Sequence, residues 1–440
     1  MIKANPLIPL FIIFSVLTLS GCQSFSNWFP EQPAPVIVPY EPSTSAPVVH
    51  HEFQLAEGQT LIGQLATINT FANDTLSDFA RHFGLGYNDM VIANPDVSPW
   101  TPKPESRVVL PMQFILPDGP HTGIVLNLAT MRMFFYPKKT NSVFTYPVGI
   151  GREGWNTPQG LTQIADKIAN PSWHVPPSIQ QEHEQKGDKL PTLVRSGPDN
   201  PLGLYAMHLA IPNYLIHGTN KPYGIGMQIS HGCVQMYPED IEVLFKKAAV
   251  GMPVRIVHQP YLVAWHENML YLEAHEPLEK WASAKPKLQK QLLKQLRTLS
   301  TKKQVEVDWD KVERILKRGD GIPTPVLVQS PDITEIIDNA PLFSRPEKLY
   351  GQPIIAELQE KDWSILVATF NDALQAQELV AMLNHQGPII PARKVQKENN
   401  YQVIAGPFKN KQEVIAAAKR LRMDFEMKVK AIKPVVLSSK

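Results

Sequence analysis

The sequence predicts a multidomain α+β protein that contains three folded modules. A short helical hairpin lies between apolar, strand-like segments in residues 53–117, which indicates a small βααβ module. Alternating apolar and polar residues recur through residues 118–258, which is typical of a mainly-β domain. A strand–helix–strand pattern occurs twice in residues 361–434 and favours a βαββαβ ferredoxin-like unit. A length of 440 residues is compatible with this number of domains.

Residues 1–22 have the pattern of a bacterial export signal. Lys3 precedes an apolar run from Leu7 to Leu19, which is shorter than the roughly 20 residues that a membrane-spanning helix needs. The run ends in Leu-Ser-Gly-Cys, which resembles the lipobox of bacterial lipoproteins and implies that Cys22 becomes the acylated first residue. Gln23 follows, which in that resemblance favours the inner face of the outer membrane. The alternative is an ordinary secretory signal, and under both interpretations the protein leaves the cytoplasm; the lipoprotein interpretation places it in the periplasm.

Residues 23–52 are rich in proline and predict an extended tether. The net charge of the whole chain is only +2, from 43 basic and 41 acidic side chains. No overall field would therefore hold a polyanion, and nucleic acid is not expected as a partner.

The segment "NDTLSDFARHFGLGYNDMVIANP" predicts two short helices. Asn73 or Asp74 would cap the first helix, and Asn94-Pro95 would end the second. "RVVLPMQFILP" then predicts a strand. This order of motifs resembles a LysM module, which implies binding of glycan that contains N-acetylglucosamine. A generic helical hairpin is the alternative.

Residues 118–258 predict β-hairpins on either side of a glycine-rich loop. "GIVLNLATMRMFFYP" and "VFTYPVGIG" predict the first hairpin, and the glycines of "GIGREGWNTPQG" would let that loop approach an extended ligand. A two-residue turn at Pro212-Asn213 would form the second hairpin and place His208 opposite His217.

Two less informative regions precede the last module. Residues 259–318 predict a β-hairpin and an amphipathic helix, which buries a leucine stripe and exposes its lysines to solvent. Residues 319–360 are punctuated by proline and predict a linker.

The C-terminal module carries "YQVIAGPF" followed by the helical segment "NKQEVIAAAKRLR". This combination resembles a SPOR domain, which implies binding of glycan strands and enrichment at division septa. A ferredoxin-like unit without a ligand is the alternative.

The segment Ser230-His231-Gly232-Cys233 suggests nucleophilic chemistry. A free thiol is only a few per cent ionised at neutral pH, so a nucleophilic cysteine needs a base, and His217 is a candidate. Gly232 permits a tight turn whose backbone N–H groups would meet a developing oxyanion. Two alternatives stay open, an inert buried thiol and a zinc site formed by His208, His217, His231 and Cys233.

The order His-Gly-Thr-Asn and then Ser-His-Gly-Cys-Val resembles the catalytic domain of the L,D-transpeptidases (YkuD type), over residues 123–257. The resemblance implies that Cys233 forms a thioester with a peptidoglycan stem tetrapeptide, releases D-alanine and transfers the acyl group to an amine. It also implies His217 as general base, the carbonyl of Gly218 as its orienting partner and His231 as support of the oxyanion site. No cofactor or metal is implied. The expected substrate-binding residues are Thr219, Asn220, Tyr223, Ser230 and Gln235.

One departure from the family pattern affects the predicted function. The family usually carries arginine two places after the cysteine, whereas this chain has Gln235, which is uncharged and cannot bind a carboxylate through a charged fork. The alternatives are therefore a non-enzymatic or impaired peptidoglycan-binding scaffold, or a carboxypeptidase that uses water. The acceptor amine would belong to a second stem peptide, giving a 3-3 cross-link, or to a lysine-bearing wall-attached lipoprotein.

Overall fold

The structure is a computed structural model, and it describes residues 48–359, 361–427 and 429–432. The predicted signal peptide, the lipobox cysteine Cys22 and the tether as far as residue 47 lie outside the described residues. Within the described ranges, no helix is both long and apolar enough to cross a bilayer.

The N-terminal module places two helices between paired strands, as the sequence predicts. Strand β3 pairs antiparallel with β4, and β2 pairs antiparallel with β5. Phe79, Leu76 and Met90 of the helices are fully buried against these strands. The elements are β1 (His51–Gln54), β2 (Leu61–Gly63), β3 (Ala66–Asn69), α1 (Leu76–His82), α2 (Tyr87–Ala93), β4 (Arg107–Leu110) and β5 (Gln113–Ile115).

Three local predictions for this region are wrong. Thr75, and neither Asn73 nor Asp74, caps α1, because Thr75 and Asp78 exchange a reciprocal pair of hydrogen bonds at 3.0 and 3.2 Å. The single strand predicted for residues 107–117 is divided at Pro111 into β4 and β5. The predicted tether ends too late, because β1 pairs with β8 (Ser142–Pro147).

A nine-stranded sheet forms the centre of the second module. Its order is β1-β8-β7-β6-β17-β10-β13-β14-β16, and its core includes the fully buried Ile124, Phe135 and Met207. The elements are β6 (Gly123–Asn127), β7 (Arg132–Tyr136), β8, β9 (Ile150–Gly151), β10 (Gly160–Ala169), β11 (Trp173–His174), α3 (Pro177–Gln185), β12 (Leu193–Val194), β13 (Tyr205–Leu209), β14 (Leu215–His217), β15 (Gln228–Ser230), β16 (Val234–Gln235), α4 (Pro238–Lys247) and β17 (Pro253–Val257).

The two hairpins of this module differ from their predictions. The first is a meander, because β6, β7 and β8 pair in succession. The second has the predicted partners but the wrong register: His208 pairs with Leu215, and His217 pairs with Ala206. Leu209 N–H donates to Tyr214 O at 3.0 Å, so the turn contains four residues, where two were predicted.

Residues 259–318 contain the predicted hairpin and amphipathic helix, together with a second helix. Leu292 and Leu296 are buried, whereas the lysines of α5 are mostly exposed. The elements of residues 259–360 are β18 (Tyr261–His266), β19 (Met269–Ala274), α5 (Lys285–Lys303), α6 (Trp309–Arg318), β20 (Thr324–Pro325), α7 (Ile333–Asn339) and β21 (Leu342–Phe343).

The predicted linker, residues 319–360, packs on the N-terminal module. Strand β21 pairs in parallel with β3, and Leu349 is fully buried in the core of that module. Arg345 forms an ion pair with the buried Asp74. The description of this segment as a simple linker is therefore wrong, because its apolar and charged side chains complete another module.

The C-terminal module confirms the predicted βαββαβ unit. Its sheet has the order β23-β24-β22-β25, and both helices pack against buried residues such as Ile365, Val403 and Leu421. The elements are β22 (Trp363–Phe370), α8 (Ala373–His385), β23 (Ala392–Lys397), β24 (Asn400–Phe408), α9 (Lys411–Phe425) and β25 (Lys430–Ile432).

The packing of the segment after α7 predicts a stability difference between two neighbouring apolar residues. We expect Leu349→Ala to lower the free energy of unfolding by about 2–5 kcal/mol, because it leaves a cavity in a closed core. Ile354→Ala is the matched control: this side chain is 80% exposed, and its removal should change stability by less than about 0.5 kcal/mol. Urea denaturation measures both, and equal effects would contradict the packing described here.

Candidate functional site

The parallel pairing of β14 with β16 places the side chains of His217 and of Cys233, which directly precedes β16, on the same face of these strands. Ile216 pairs with Val234, and both side chains point into the core with 0% and 1% exposure. Successive side chains of a strand point to opposite faces. His217 and Cys233, each one residue away from this buried pair, therefore lie on the same opposite face. The predicted partnership of the two residues is thus compatible with the fold.

The imidazole of His217 is buried and hydrogen-bonded on one side. Its Nδ1 lies 2.6 Å from the carbonyl oxygen of Gly218, and His217 is only 4% exposed. Burial lowers the pKa of His217 to about 4, although the contact with Gly218 acts in the opposite direction. The ring is therefore neutral near pH 7. A carbonyl accepts and cannot donate, so the proton lies on Nδ1 and the lone pair of Nε2 is free to accept.

The thiol of Cys233 is half-buried and also neutral. Burial raises its pKa, and a hydrogen bond from the Leu215 backbone only partly offsets this effect. Its Sγ lies 3.7 Å from the carbonyl oxygen of Asn213. The lowered pKa of His217 and the raised pKa of Cys233 both oppose transfer of the thiol proton to the imidazole in the resting protein. The resting pair is therefore thiol and imidazole, not thiolate and imidazolium.

A tight turn immediately before Cys233 depends on Gly232. Its φ is +105°, and a Cβ at this position would lie 2.9 Å from the ring of Tyr214. Ser230 closes the turn: its hydroxyl donates to Cys233 O at 2.6 Å and accepts from Gly232 N–H at 3.1 Å. The Gly232 N–H was predicted to lie near the oxyanion, but it already donates a hydrogen bond to the Ser230 hydroxyl. Ser230, predicted to bind substrate, is buried and shapes the turn.

The glycine-rich loop contacts this turn directly. Thr157 accepts from Gly151 N–H at 3.0 Å and donates to Gly232 O at 2.8 Å. A Cβ at Gly151 would lie 2.9 Å from the Gly232 Cα atom. The glycines of this loop were predicted to admit an extended ligand. Gly151 lets the loop approach the backbone that carries Cys233, and ligand contact by the loop stays a prediction.

His231 belongs to a charged cluster beside the turn. Its Nε2 lies 3.0 Å from Glu182 Oε2 on α3 and 3.0 Å from Arg152 Nη2, and the ring of Trp155 packs edge-on against it. Arg152 and Glu182 form an ion pair at 2.5 Å. Hydrogen bonds from Arg152 and then Lys186 hold the pKa of Glu182 well below its usual range. Burial lowers the pKa of His231, so this ring is neutral and fixed between two charges.

The other predicted substrate-binding residues differ in their surroundings. Gln235 is half-buried, and within the described residues its Oε1 is buried without a hydrogen-bond partner. Thr219 is buried, and its hydroxyl accepts from Lys221 N–H at 3.0 Å. Asn220 and Tyr223 follow on the same loop and are half-buried. Gln235 thus has a free acceptor at the site, whereas Thr219 stabilises its own loop.

The zinc hypothesis requires convergent ligands. His208 lies on β13 opposite Leu215, and His231 contacts Arg152 and Glu182. Among residues 48–359, 361–427 and 429–432, no three histidine, cysteine, aspartate or glutamate side chains are arranged as metal ligands.

Three residues of the site were missed by the sequence analysis. Arg152 and Thr157 lie in the glycine-rich loop, which was noted only for its glycines. Glu182 is 49 positions from His231 and lies in a polar helix, so local sequence gave no signal for it.

Two family models match this chain. Residues 121–256 match the L,D-transpeptidase catalytic domain, and residues 359–428 match the SPOR domain.

Curated proteins resemble the chain over a longer span. The probable L,D-transpeptidase ErfK/SrfK of Salmonella typhimurium (strain LT2) is 37% identical over 284 residues, which are 63% of this chain and 91% of that protein. The probable L,D-transpeptidase YbiS of Escherichia coli (strain K12) is 41% identical over 226 residues, 50% of this chain and 74% of that protein. The solved L,D-transpeptidase 3 from Mycobacterium tuberculosis is 17% identical over 36% of this chain and 72% of its own, with a TM-score of 0.23 that supports no conclusion.

The lowered pKa of His217 and the raised pKa of Cys233 predict how the reactivity of the thiol depends on pH. We expect the rate of Cys233 alkylation by iodoacetamide to rise about tenfold per pH unit from pH 6 to 8, because a raised thiol pKa leaves the thiolate fraction small and proportional to hydroxide. Iodoacetamide reacts with the thiolate that is present at equilibrium, so its rate reports the resting ionisation of Cys233 and not proton removal during acyl transfer. His217→Gln should leave this profile unchanged, because His217 is already neutral above about pH 4.

The alternative has a different signature. A plateau that begins in acid and is lost in His217→Gln would indicate a thiolate–imidazolium pair and would contradict the neutral pair. Peptide mass spectrometry at Cys233 provides the measurement.

Proposed function

Because this chain belongs to the L,D-transpeptidase family, we propose that Cys233 and His217 carry out its acyl transfer. The protein is a peptidoglycan L,D-transpeptidase with a C-terminal SPOR domain. The observation that supports the assignment of the residues is the arrangement of His217. Its Nδ1 lies 2.6 Å from a carbonyl oxygen, which leaves the lone pair to Nε2, and the alternation of side chains along the strand puts His217 on the same face as Cys233.

In the first half-reaction, the Cys233 Sγ attacks the carbonyl carbon between the third and fourth residues of a stem tetrapeptide. The thiol proton moves to His217 Nε2 as the new bond forms, since neither group is ionised beforehand. Collapse of the tetrahedral species breaks the C–N bond. D-Alanine leaves with the proton returned by His217, and the acyl group remains on sulfur as a thioester.

In the second half-reaction, an acceptor amine attacks the thioester carbonyl. His217 Nε2 removes the proton from the attacking nitrogen and returns it to sulfur as the C–S bond breaks. Gly218 contributes through its carbonyl, which fixes the tautomer of His217 and favours the imidazolium that forms during each transfer. The base is unprotonated above about pH 4, so acid inactivation through His217 is expected only near that pH.

We assign His231, Ser230 and Gly232 to the support of the oxyanion site. Ser230 and Thr157 fix the backbone of the turn, and the cluster of His231, Arg152 and Glu182 anchors its outer side. A rigid turn keeps its dipoles oriented where negative charge develops.

Substrate recognition includes Gln235, Thr219, Asn220 and Tyr223. Gln235 offers an unpaired amide oxygen and a neutral N–H₂ group where a charged fork is usual, so it would bind a neutral or amine-bearing group of the stem peptide. Thr219 acts by holding its loop.

The accessory modules give the enzyme its location in this proposal. The N-terminal βααβ module, with its LysM-like order of motifs, and the SPOR domain bind glycan strands, the latter at division septa. Cys22 carries the lipid that anchors the chain to the periplasmic face of the outer membrane.

Two further activities are compatible with the same site. Transfer to water would make the enzyme an L,D-carboxypeptidase, and transfer to a lysine would attach a lipoprotein to the wall. A non-enzymatic peptidoglycan-binding scaffold is the competing function. It is favoured by one observation, Gln235 in place of arginine.

Intact-protein mass spectrometry tests the assignment. Incubation with a tetrapeptide muropeptide or a carbapenem should add one acyl mass to the wild type and none to Cys233→Ala, while His217→Gln should be acylated at least about 100-fold more slowly. Cys233→Ala should still sediment with purified sacculi. An adduct on Cys233→Ala would contradict the nucleophile, and a folded, reduced wild type without any adduct would favour the scaffold.

A further inference from the structure

Helix α9 of the SPOR domain contacts the catalytic domain at two places. Lys419 Nζ lies 2.6 Å from Asp188 Oδ1, and Asp424 Oδ2 lies 3.6 Å from Lys221 Nζ. The ammonium group of Lys419 thus contacts a carboxylate, and the carboxylate of Asp424 contacts an ammonium group. The two contacts involve separate segments of the catalytic domain, and each segment is connected to the site.

The first segment extends from Asp188 to the turn before Cys233. Asp188 Oδ2 lies 3.0 Å from His183 Nδ1, and its N–H donates to His183 O at 2.9 Å. Burial opposes its ionisation, but hydrogen bonds from Lys419 and His183 outweigh burial and lower the pKa of Asp188. His183 belongs to α3, whose Glu182 contacts His231 at 3.0 Å. Movement of Asp188 would therefore be transmitted to the support of the Cys233 turn.

The second segment continues directly from the proposed base. Lys221 is four residues after His217, and its N–H donates to Thr219 Oγ1 at 3.0 Å. The SPOR domain also packs on this loop through backbone, because a Cβ at Gly387 would lie 3.4 Å from Asn220 O. Asp424 Oδ2 is in addition 3.7 Å from Arg420 Nε; burial lowers the pKa of Arg420, and the Asp424 carboxylate acts in the opposite direction.

We propose that α9 is a positioning element of the transpeptidase site. Lys419 and Asp424 hold the α3 segment and the loop after His217 at a fixed separation, so that base, nucleophile and turn stay aligned. The proposal rests on the assignment of Cys233 and His217 above. It implies that the SPOR domain does more than attach the enzyme to the wall. A glycan strand bound by this domain would lie in a fixed position relative to the reacting thiol.

Full-length variants with a matched control test this proposal. Lys419→Glu and Asp424→Lys each break one contact, and Lys221→Glu/Asp424→Lys reverses the second pair so that attraction is restored. Arg422→Glu is the control, because Arg422 is exposed on the same helix and the charge change equals that of Lys419→Glu. The readouts are the rate of Cys233 acylation by a carbapenem and amide hydrogen exchange in residues 182–188 and 218–224.

We expect each single variant to slow acylation by about two- to fivefold, the range that a partly exposed ion pair can produce. Exchange should rise in residues 182–188 for Lys419→Glu and in residues 218–224 for Asp424→Lys. The charge-swapped pair should recover both readouts, and Arg422→Glu should match the wild type.

The contrary outcomes are distinct. Unchanged or faster acylation, failure of the swapped pair to recover, or an equal effect of Arg422→Glu would each overturn the positioning role. If the wild type itself is not acylated, the proposed nucleophile is wrong, and the exchange measurements alone decide whether α9 restrains the two segments.

Discussion

The parallel pairing of β14 with β16 is the interaction on which the site depends. It buries Ile216 against Val234 and leaves His217 and Cys233 on the other face of the same two strands. A slip of one residue would move each side chain to the opposite face. The hydrophobic core therefore fixes the register, and the register fixes the positions of the proposed base and nucleophile. Burial then determines their charge, since it lowers the pKa of His217 and raises that of Cys233.

The N-terminal module contacts both the catalytic domain and the SPOR domain through ion pairs. Arg81 of α1 forms a two-pronged ion pair with Glu239 of α4, at 2.9 and 3.0 Å. His385 of the SPOR domain lies 3.1 Å from Asp78 of α1. Burial alone would lower the pKa of His385, but the Asp78 carboxylate raises it, so a charged pair joins these modules. The N-terminal module and the SPOR domain thus have direct contacts with the catalytic domain and with each other.

The sequence predicted most of the architecture, and the failures have physical reasons. The βαββαβ unit was predictable because its helical and strand periodicities alternate regularly. Ser230-His231-Gly232-Cys233 predicted a tight turn before the thiol, because glycine permits a positive φ, and the structure has that turn; the role of Cys233 as nucleophile stays a prediction. The register around His208 was wrong because a turn of four residues replaced one of two, which local composition did not reveal. Glu182 and Lys419 were not predictable, since each acts through a partner far away in the chain.

Acyl transfer at this site, as proposed above, requires that a neutral imidazole of defined tautomer removes the proton from a neutral thiol. Nitrogen-15 NMR of the His217 side chain in folded, ligand-free protein at pH 7 tests it most directly. We expect a neutral ring with its proton on Nδ1, because Gly218 O accepts at 2.6 Å and burial lowers the pKa of His217 to about 4. A doubly protonated ring, or a neutral ring with its proton on Nε2, would contradict this role, because neither form has a lone pair on Nε2 to accept the thiol proton.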